Sequence, residues 1–90
     1  MTGKYAVLMI CTGNICRSPL AEVGLRHKLG QAGLGDRVQV ASAGTTGYHV
    51  GSPADERSGH HARLRGYDLS GHRARQVRLQ DFERYDLLLA

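Results

Sequence analysis

Two cysteines, an asparagine, an arginine and a serine lie close together in the stretch CTGNICRSP, residues 11–19. Five residues separate Cys11 from Arg17, so a nearly closed loop would place the sulfur beneath an oxyanion and the guanidinium beside it. An arginine fork binds two phosphate oxygens in one plane. Such positive surroundings are expected to lower the pKa of Cys11, and Ser18 can donate a hydrogen bond to the resulting thiolate. The spacing predicts nucleophilic attack on phosphorus.

A predicted strand precedes this stretch and a predicted helix follows it. Residues 5–10, YAVLMI, form a short apolar run that is typical of a strand buried on both faces of a parallel sheet. Ser18 and Pro19 offer an N-cap and a first-turn proline for a helix that ends between residues 30 and 35. Apolar residues recur in this helix at Ala21, Leu25, Leu29 and Ala32.

The rest of the chain predicts four more elements. Residues 37–42 alternate and carry β-branched side chains, which favours a second strand. Residues 53–65 predict a second helix, with Ser52 as its N-cap. A short helical turn is expected at residues 79–82 and a third strand at residues 85–90.

The order of these elements indicates one α/β domain over residues 1–90, built on a doubly wound parallel sheet. Because a buried parallel strand is an unusual last element, we expect the chain to be the N-terminal portion of a domain and to lack a C-terminal strand and helices. An exposed edge at the third strand would also permit self-association.

The composition predicts an ordinary globular chain with a packed core, since 41% of its residues are hydrophobic and 22% are charged. No apolar run is long enough to span a bilayer and no signal peptide is recognisable, so we expect a cytoplasmic protein without a membrane partner. The net charge is +4, but basic residues neither cluster nor interleave with aromatic ones, which predicts a solvated face and no nucleic-acid partner.

The loop after the first strand is predicted to cradle the phosphate. In doubly wound sheets, ligands bind where a loop passes from a strand end to a helix N-terminus, and inward-turned N–H groups hold the anion there. Gly13 and Asn14 tolerate the left-handed backbone angles that this requires. The predicted phosphate-binding residues are Thr12, Gly13, Asn14, Ile15, Cys16 and Arg17.

Two other kinds of site are disfavoured. A nucleotide-binding Walker loop needs a second glycine followed by lysine, and the stretch has neither. A zinc site needs more ligands than Cys11 and Cys16 supply, and the adjacent residues His60 and His61 point apart on a helix. We therefore expect no metal and no cofactor.

The sequence resembles the low molecular weight protein tyrosine phosphatases. VLMICTGNICRSPLAE is similar to that family's N-terminal signature, and the likeness continues through ASAGTTGYHVGSPAD and SGHRARQ to YDLLLA. The resemblance implies a four-stranded parallel sheet and a cysteinyl-phosphate intermediate, with Cys11 as nucleophile, Arg17 as phosphate clamp and Ser18 as partner of the thiolate. It further implies that Asn14, Ser42 and His72 support the loop and that Tyr48 forms a wall of the substrate cleft.

Cys16 has two open interpretations. It is either a buried thiol or a redox partner of Cys11, whose disulfide would protect the nucleophile from irreversible oxidation.

The catalytic acid is the point at which the sequence departs from the family. A phenolate leaving group needs a proton, which the family takes from an Asp-Pro pair further along, and no such pair occurs here. The available aspartates are Asp36, Asp55, Asp68, Asp81 and Asp86. Nothing in their sequence context marks one as a substitute, and Asp55 and Arg57 are expected to serve the end of the second helix.

The leading hypothesis is a protein tyrosine phosphatase whose partners are phosphotyrosine-containing proteins, with inorganic phosphate or similar oxyanions as ligands of the loop. The runner-up is an arsenate reductase on the same fold, but that chemistry passes a disulfide along further cysteines and none follows Cys16. The third hypothesis is a non-catalytic phosphate-binding module, which the missing acid favours.

Overall fold

A parallel sheet with β1 at its centre organises the computed structural model, which describes residues 4–90. The elements are β1 Tyr5–Cys11, α1 Arg17–Gln31, β2 Val38–Gly44, α2 Glu56–Leu64, α3 Leu79–Arg84 and β3 Leu87–Leu89. The strand order is β2-β1-β3, and the register places Cys11 beside Gly44. The predicted α/β parallel fold is confirmed, with three strands among the described residues.

Alternation along the strands separates the two faces of the sheet. On one face Ala6, Leu8, Ala43 and Tyr85 form a buried cluster, and Leu8 is fully buried. Burying a leucine side chain contributes about 1.5–3 kcal/mol. Val7 points to the opposite face because successive side chains alternate, and α1 packs on β1 and β2. This packing holds β1, and therefore Cys11, in a fixed position.

The prediction of Ser18 as the N-cap of α1 is wrong. The helix begins at Arg17, which makes Cys16 the flanking residue and places Ser18 and Pro19 inside the first turn. Pro19 is tolerated there because the first four N–H groups of a helix have no partner within it. The Ser18 hydroxyl is therefore available for the loop. Farther along the predicted apolar face, Leu25 is half-buried and Ala21 is exposed.

The prediction of Ser52 as the N-cap of α2 is also wrong, because Asp55 fills that role. The Asp55 carboxylate accepts hydrogen bonds from the N–H groups of Arg57 and Ser58 at 3.1 and 3.4 Å. Ser52 instead pairs through its backbone with His49 and Ala74. The expectation that Asp55 serves the helix end is confirmed.

The third strand is shorter than predicted and lies at the edge of the sheet. Tyr85 terminates α3, and Asp86 joins Ala6 through both its backbone N–H and its carboxylate, so regular pairing begins at Leu87. Leu87 and Leu89 are 39% and 43% exposed, so β3 is not buried on both faces. Self-association through this edge stays a prediction.

The arginines of the C-terminal half divide into two groups. Arg75 is half-buried and forms an ion pair with Asp81, whereas the others are exposed, as expected of a solvated basic face: Arg57, Arg63, Arg65, Arg73, Arg78 and Arg84. Among residues 4–90, no helix combines the length and the apolar character that crossing a membrane requires.

Candidate active site

The loop between β1 and α1 is fixed from outside through its carbonyl oxygens. Those of Cys11 and Thr12 accept hydrogen bonds from the N–H groups of Thr45 and Thr46 at 2.9 and 3.0 Å, and that of Ile15 accepts one from Asp55 at 2.7 Å. In a trans peptide unit the N–H points opposite to the C=O. The N–H groups that follow these carbonyls therefore point away from the supporting segments, as an anion cradle requires.

The Cys11 thiol ends β1 and receives two hydrogen bonds. Ser18 Oγ lies 2.9 Å from Cys11 Sγ, and the Asn14 N–H donates to the same sulfur at 3.3 Å. Partial burial raises the pKa of Cys11, but the hydrogen bonds from Ser18, Asn14 and Cys16 outweigh it and lower the pKa below that of an ordinary thiol. The Cys11 thiol therefore ionises more readily than an ordinary cysteine thiol.

The predicted cause of this lowering needs correction. We expected the positive charge of Arg17 to act on the pKa of Cys11, but the structure attributes the effect to hydrogen bonds alone. Arg17 is exposed and has no ion-pair partner within residues 4–90.

Asn14 is fully buried and connects the loop to three other segments. Its Nδ2 donates to Ser18 Oγ and to Ser42 Oγ, both at 2.9 Å, and its Oδ1 accepts from the Arg75 N–H at 2.8 Å. Its backbone carbonyl lies 2.6 Å from His72 Nε2, which must donate because a carbonyl can only accept. The structure therefore brings together the predicted supporting residues.

These bonds hold Asn14 in a left-handed conformation, with φ at 59°. An asparagine adopts such angles more readily than most residues. The expectation of a left-handed backbone is therefore met at Asn14, whereas Gly13 does not have a positive φ.

Glu22 holds the Ser42 hydroxyl that Asn14 contacts, and it was missed from the sequence. Ser42 Oγ donates to Glu22 Oε1 at 2.6 Å. Ser42 and Ser18 both accept from the Asn14 amide, which leaves the Ser18 hydroxyl proton for Cys11 Sγ. Glu22 sits one helical turn after Ser18, and that i, i+4 spacing is the only sequence signal for it.

Glycine occupies two positions at this site, Gly44 and Gly13, where a Cβ atom would clash with a neighbouring residue. A Cβ on Gly44 would lie 2.8 Å from Thr12 O and 3.0 Å from Asn14 N, because the end of β2 runs directly beneath the loop. A Cβ on Gly13 would lie 2.8 Å from His49 Cδ2. Gly44 and His49 were not predicted, although a glycine at a strand end is a sign of close backbone approach.

Residues 11–18 therefore form a loop that is held from outside by hydrogen bonds and that surrounds a thiol of lowered pKa. The chain also matches a known family. The profile for low molecular weight phosphotyrosine protein phosphatase matches residues 6–90. The chain belongs to the low molecular weight phosphotyrosine protein phosphatase family. This confirms the resemblance inferred from the sequence.

Individual members of the family agree with this assignment. Low molecular weight protein-tyrosine phosphatase A of Mycobacterium tuberculosis is 49% identical over 90 residues, which are 100% of this chain and 54% of that protein. The crystal structure of YfkJ from Bacillus subtilis superposes with a TM-score of 0.92 at 39% identity, covering 94% of this chain and 54% of that one. Vibrio vulnificus Wzb in complex with benzylphosphonate gives a TM-score of 0.84 at 32% identity, covering 97% and 57%. The chain spans about half the length of these relatives.

In this family member the predicted residues Arg17 and Tyr48 are both exposed. Arg17 lines a cavity with Leu89 and Ala90. Tyr48 is 88% exposed in the segment after β2 and precedes His49, which lies against the loop at Gly13.

The two cysteines of this family member are free thiols that face different partners. Cys16 is exposed, not buried, and its Sγ accepts a hydrogen bond from Ser58 Oγ at 3.1 Å, whereas Cys11 Sγ faces Ser18. A disulfide between them would require Cys16 to leave Ser58. Its redox role stays a prediction.

Proposed function

We propose that the protein is a phosphotyrosine protein phosphatase that uses Cys11 as its nucleophile. The observation that carries the proposal is the Cys11 sulfur, which accepts hydrogen bonds from Ser18 and Asn14 and has a lowered pKa. It lies at the carboxyl end of the central strand, where the loop turns into the N-terminus of α1. This is where anions bind in such sheets.

The first step forms a bond between Cys11 Sγ and phosphorus and breaks the bond from phosphorus to the tyrosine oxygen. Loop N–H groups and the Arg17 fork stabilise the equatorial oxygens as charge develops on them. The phenolate leaves and takes a proton from an acid.

In the second step water attacks the cysteinyl-phosphate and yields inorganic phosphate. The water gives its proton to a base, and the electron pair of the sulfur–phosphorus bond returns to Cys11. The Ser18 hydroxyl donates to the departing thiolate, as its 2.9 Å distance from Sγ permits.

An aromatic phosphate ester is the substrate class that the surroundings favour. Tyr48 is largely exposed on the segment whose His49 abuts the loop, where an aromatic side chain can stack against a substrate ring. The Vibrio relative was crystallised with benzylphosphonate, which joins a benzyl group to a phosphorus oxyanion. Both observations support phosphotyrosine over phosphoserine.

No described aspartate is assigned as the acid. Asp55 caps α2, Asp81 pairs with Arg75, and Asp86 binds the Ala6 N–H. Asp68 accepts the Ser70 N–H, and Asp36 is exposed. We therefore expect the 90-residue chain to hydrolyse aryl phosphates with acidic phenols better than phosphotyrosine, because the former depend less on a proton donor.

The decisive experiment measures phosphate release from a phosphotyrosine peptide by the 90-residue chain, with Cys11→Ser and a phosphoserine peptide in parallel. An aryl phosphate with a good leaving group provides a second substrate, and circular dichroism establishes that each sample is folded. We expect release to depend on Cys11, to favour phosphotyrosine over phosphoserine and to be faster with the better leaving group.

Two results of this experiment would contradict the proposal. A folded chain that binds phosphate but turns over neither aryl substrate would be an anion-binding module. Equal turnover by the wild-type chain and Cys11→Ser would exclude Cys11 as nucleophile.

A further inference from the structure

The ion pair between Arg75 and Asp81 is the most enclosed one in the described part of the chain. Arg75 donates from both terminal nitrogens, to Asp81 Oδ2 at 2.9 Å and to Oδ1 at 3.1 Å. The Asp81 side chain is 2% exposed and that of Arg75 is 30% exposed. Oδ2 also accepts the Arg78 N–H at 2.7 Å, so both carboxylate oxygens are occupied.

The backbone of Arg75 runs between this ion pair and the loop of residues 12–16 that joins β1 to α1. We call this loop the anion loop. Its carbonyl accepts from the Gly44 N–H at 2.8 Å, and the Val77 N–H donates to the Gly44 carbonyl at 2.7 Å. The Arg75 N–H donates to Asn14 Oδ1 at 2.8 Å. Residues 75–77 therefore act as a brace that joins the end of β2 to Asn14.

We propose that the Arg75–Asp81 ion pair is a positioning device for the anion loop, which it controls by holding the Arg75 backbone against Asn14. The inference rests on the proposed function, because the loop it positions is the proposed catalytic loop. Neither residue contacts Cys11, and Arg75 reaches the loop only through its backbone N–H at Asn14, so the pair consists of positioning residues and not catalytic ones.

The route from the ion pair to the sulfur consists of short hydrogen bonds. If the Arg75 N–H moves, Asn14 loses the donor that fixes its Oδ1, and its Nδ2 no longer holds Ser18 Oγ in place. Ser18 then donates less well to Cys11 Sγ. A disturbance at Asp81 should thus reach Cys11 without any direct contact.

A role in positioning also fits the energetics of the pair. Enclosed ion pairs contribute little net stability, because desolvation of the charges offsets their attraction. Both groups are charged at neutral pH, since hydrogen bonding to Arg75 lowers the pKa of Asp81 and that to Asp81 raises the pKa of Arg75. The fork geometry fixes Arg75 in orientation as well as in place.

The test uses Asp81→Asn, with Glu83→Gln as the matched control. Glu83 is an exposed carboxylate on the same helix, so the control removes the same charge without disturbing the pair. In Asp81→Asn an NH₂ group replaces one carboxylate oxygen. That NH₂ group faces an N–H donor of Arg75 or Arg78, which then has no acceptor. The assay measures the pH dependence of Cys11 alkylation by iodoacetamide in the folded chain, together with the ultraviolet absorbance of the thiolate. Every sample also carries Cys16→Ser, so that only Cys11 can be alkylated.

We expect Asp81→Asn to raise the pKa of Cys11 and to slow its alkylation about tenfold at a pH where the thiolate is the minor form in both chains. Glu83→Gln should leave both unchanged. An Asp81→Asn chain that melts earlier but keeps the wild-type pKa of Cys11 would overturn the proposal, because a purely structural pair would behave in that way.

A second variant decides the matter if Asp81→Asn does not fold. Arg75→Lys keeps the charge and the backbone N–H but loses the fork. A raised pKa of Cys11 in Arg75→Lys supports the proposal, and an unchanged pKa overturns it. Alkylation needs no turnover, so an inactive wild-type chain would count against the proposed function and leave this test intact.

Discussion

Replacing Gly44 by alanine should displace the anion loop, because the new methyl group would meet backbone atoms that cannot rotate away. The Cβ would lie 2.8 Å from Thr12 O and 3.0 Å from both Asn14 N and Gly13 C. Ordinary contact begins at 3.4 Å, so the loop or the end of β2 must shift by about 0.6 Å to relieve the contact with Thr12 O. Overpacking of this kind costs about 1–3 kcal/mol.

The same shift should also change the hydrogen bonding of the Cys11 thiol. Asn14 N donates to Cys11 Sγ at 3.3 Å, so movement of the loop away from Gly44 changes a bond that helps to lower the pKa of the thiol. We therefore expect Gly44→Ala both to lower the free energy of unfolding by about 2 kcal/mol and to raise the pKa of Cys11.

Urea unfolding followed by circular dichroism measures the first effect, and the pH dependence of Cys11 alkylation measures the second. Gly30→Ala is the matched control, since a Cβ at Gly30 meets nothing within 4 Å and the residue lies in α1. The control should be as stable as the wild-type chain or more stable by up to about 1 kcal/mol. Wild-type stability and an unchanged Cys11 pKa in Gly44→Ala would show that the close approach beneath the loop does not constrain it.

Two further predictions concern the hydrogen bonds around the loop. Ser18→Ala removes the donor 2.9 Å from Cys11 Sγ, so the pKa of Cys11 should rise and its alkylation near pH 6 should slow; an unchanged alkylation profile would exclude Ser18 as partner of the thiolate. Because the folded-state pKa of Asp81 is lowered, ionised Asp81 favours the folded state more than protonated Asp81 does. This contribution is present above the unfolded-state pKa of about 4 and is lost as the pH falls through the folded-state pKa. The stability difference between the wild-type chain and Asp81→Asn, measured by urea unfolding, should accordingly shrink on acidification from pH 6 to pH 3, and a constant difference would contradict the assignment.

Much of the site follows from residues that are close in sequence. Cys11, Asn14 and Ser18 lie in one loop and the turn after it, so strand-to-helix geometry alone brings them together. A continuous apolar run and an alternating segment likewise predicted the first two strands of the sheet. Ser42 and His72 are different, because only the likeness to a family pointed to them.

Helix starts were the least predictable features, for a physical reason. Ser18 and Ser52 both have the right chemistry for an N-cap, yet Ser18 turns to Cys11 and the backbone of Ser52 pairs with Ala74. The residue that caps a helix is decided by competition with tertiary partners, which local sequence does not record.

The order of strands and helices and the place of the loop after the first strand followed from the sequence alone, because they depend on neighbouring residues and on the period of apolar side chains. How the loop is held became clear only from the packing of distant segments. Glu22 binds Ser42, Gly44 lies against the loop, and Arg75 binds Asn14 while it pairs with Asp81. Such contacts depend on how the elements pack, and the sequence signals at Glu22 and Gly44 do not say which residues each one meets.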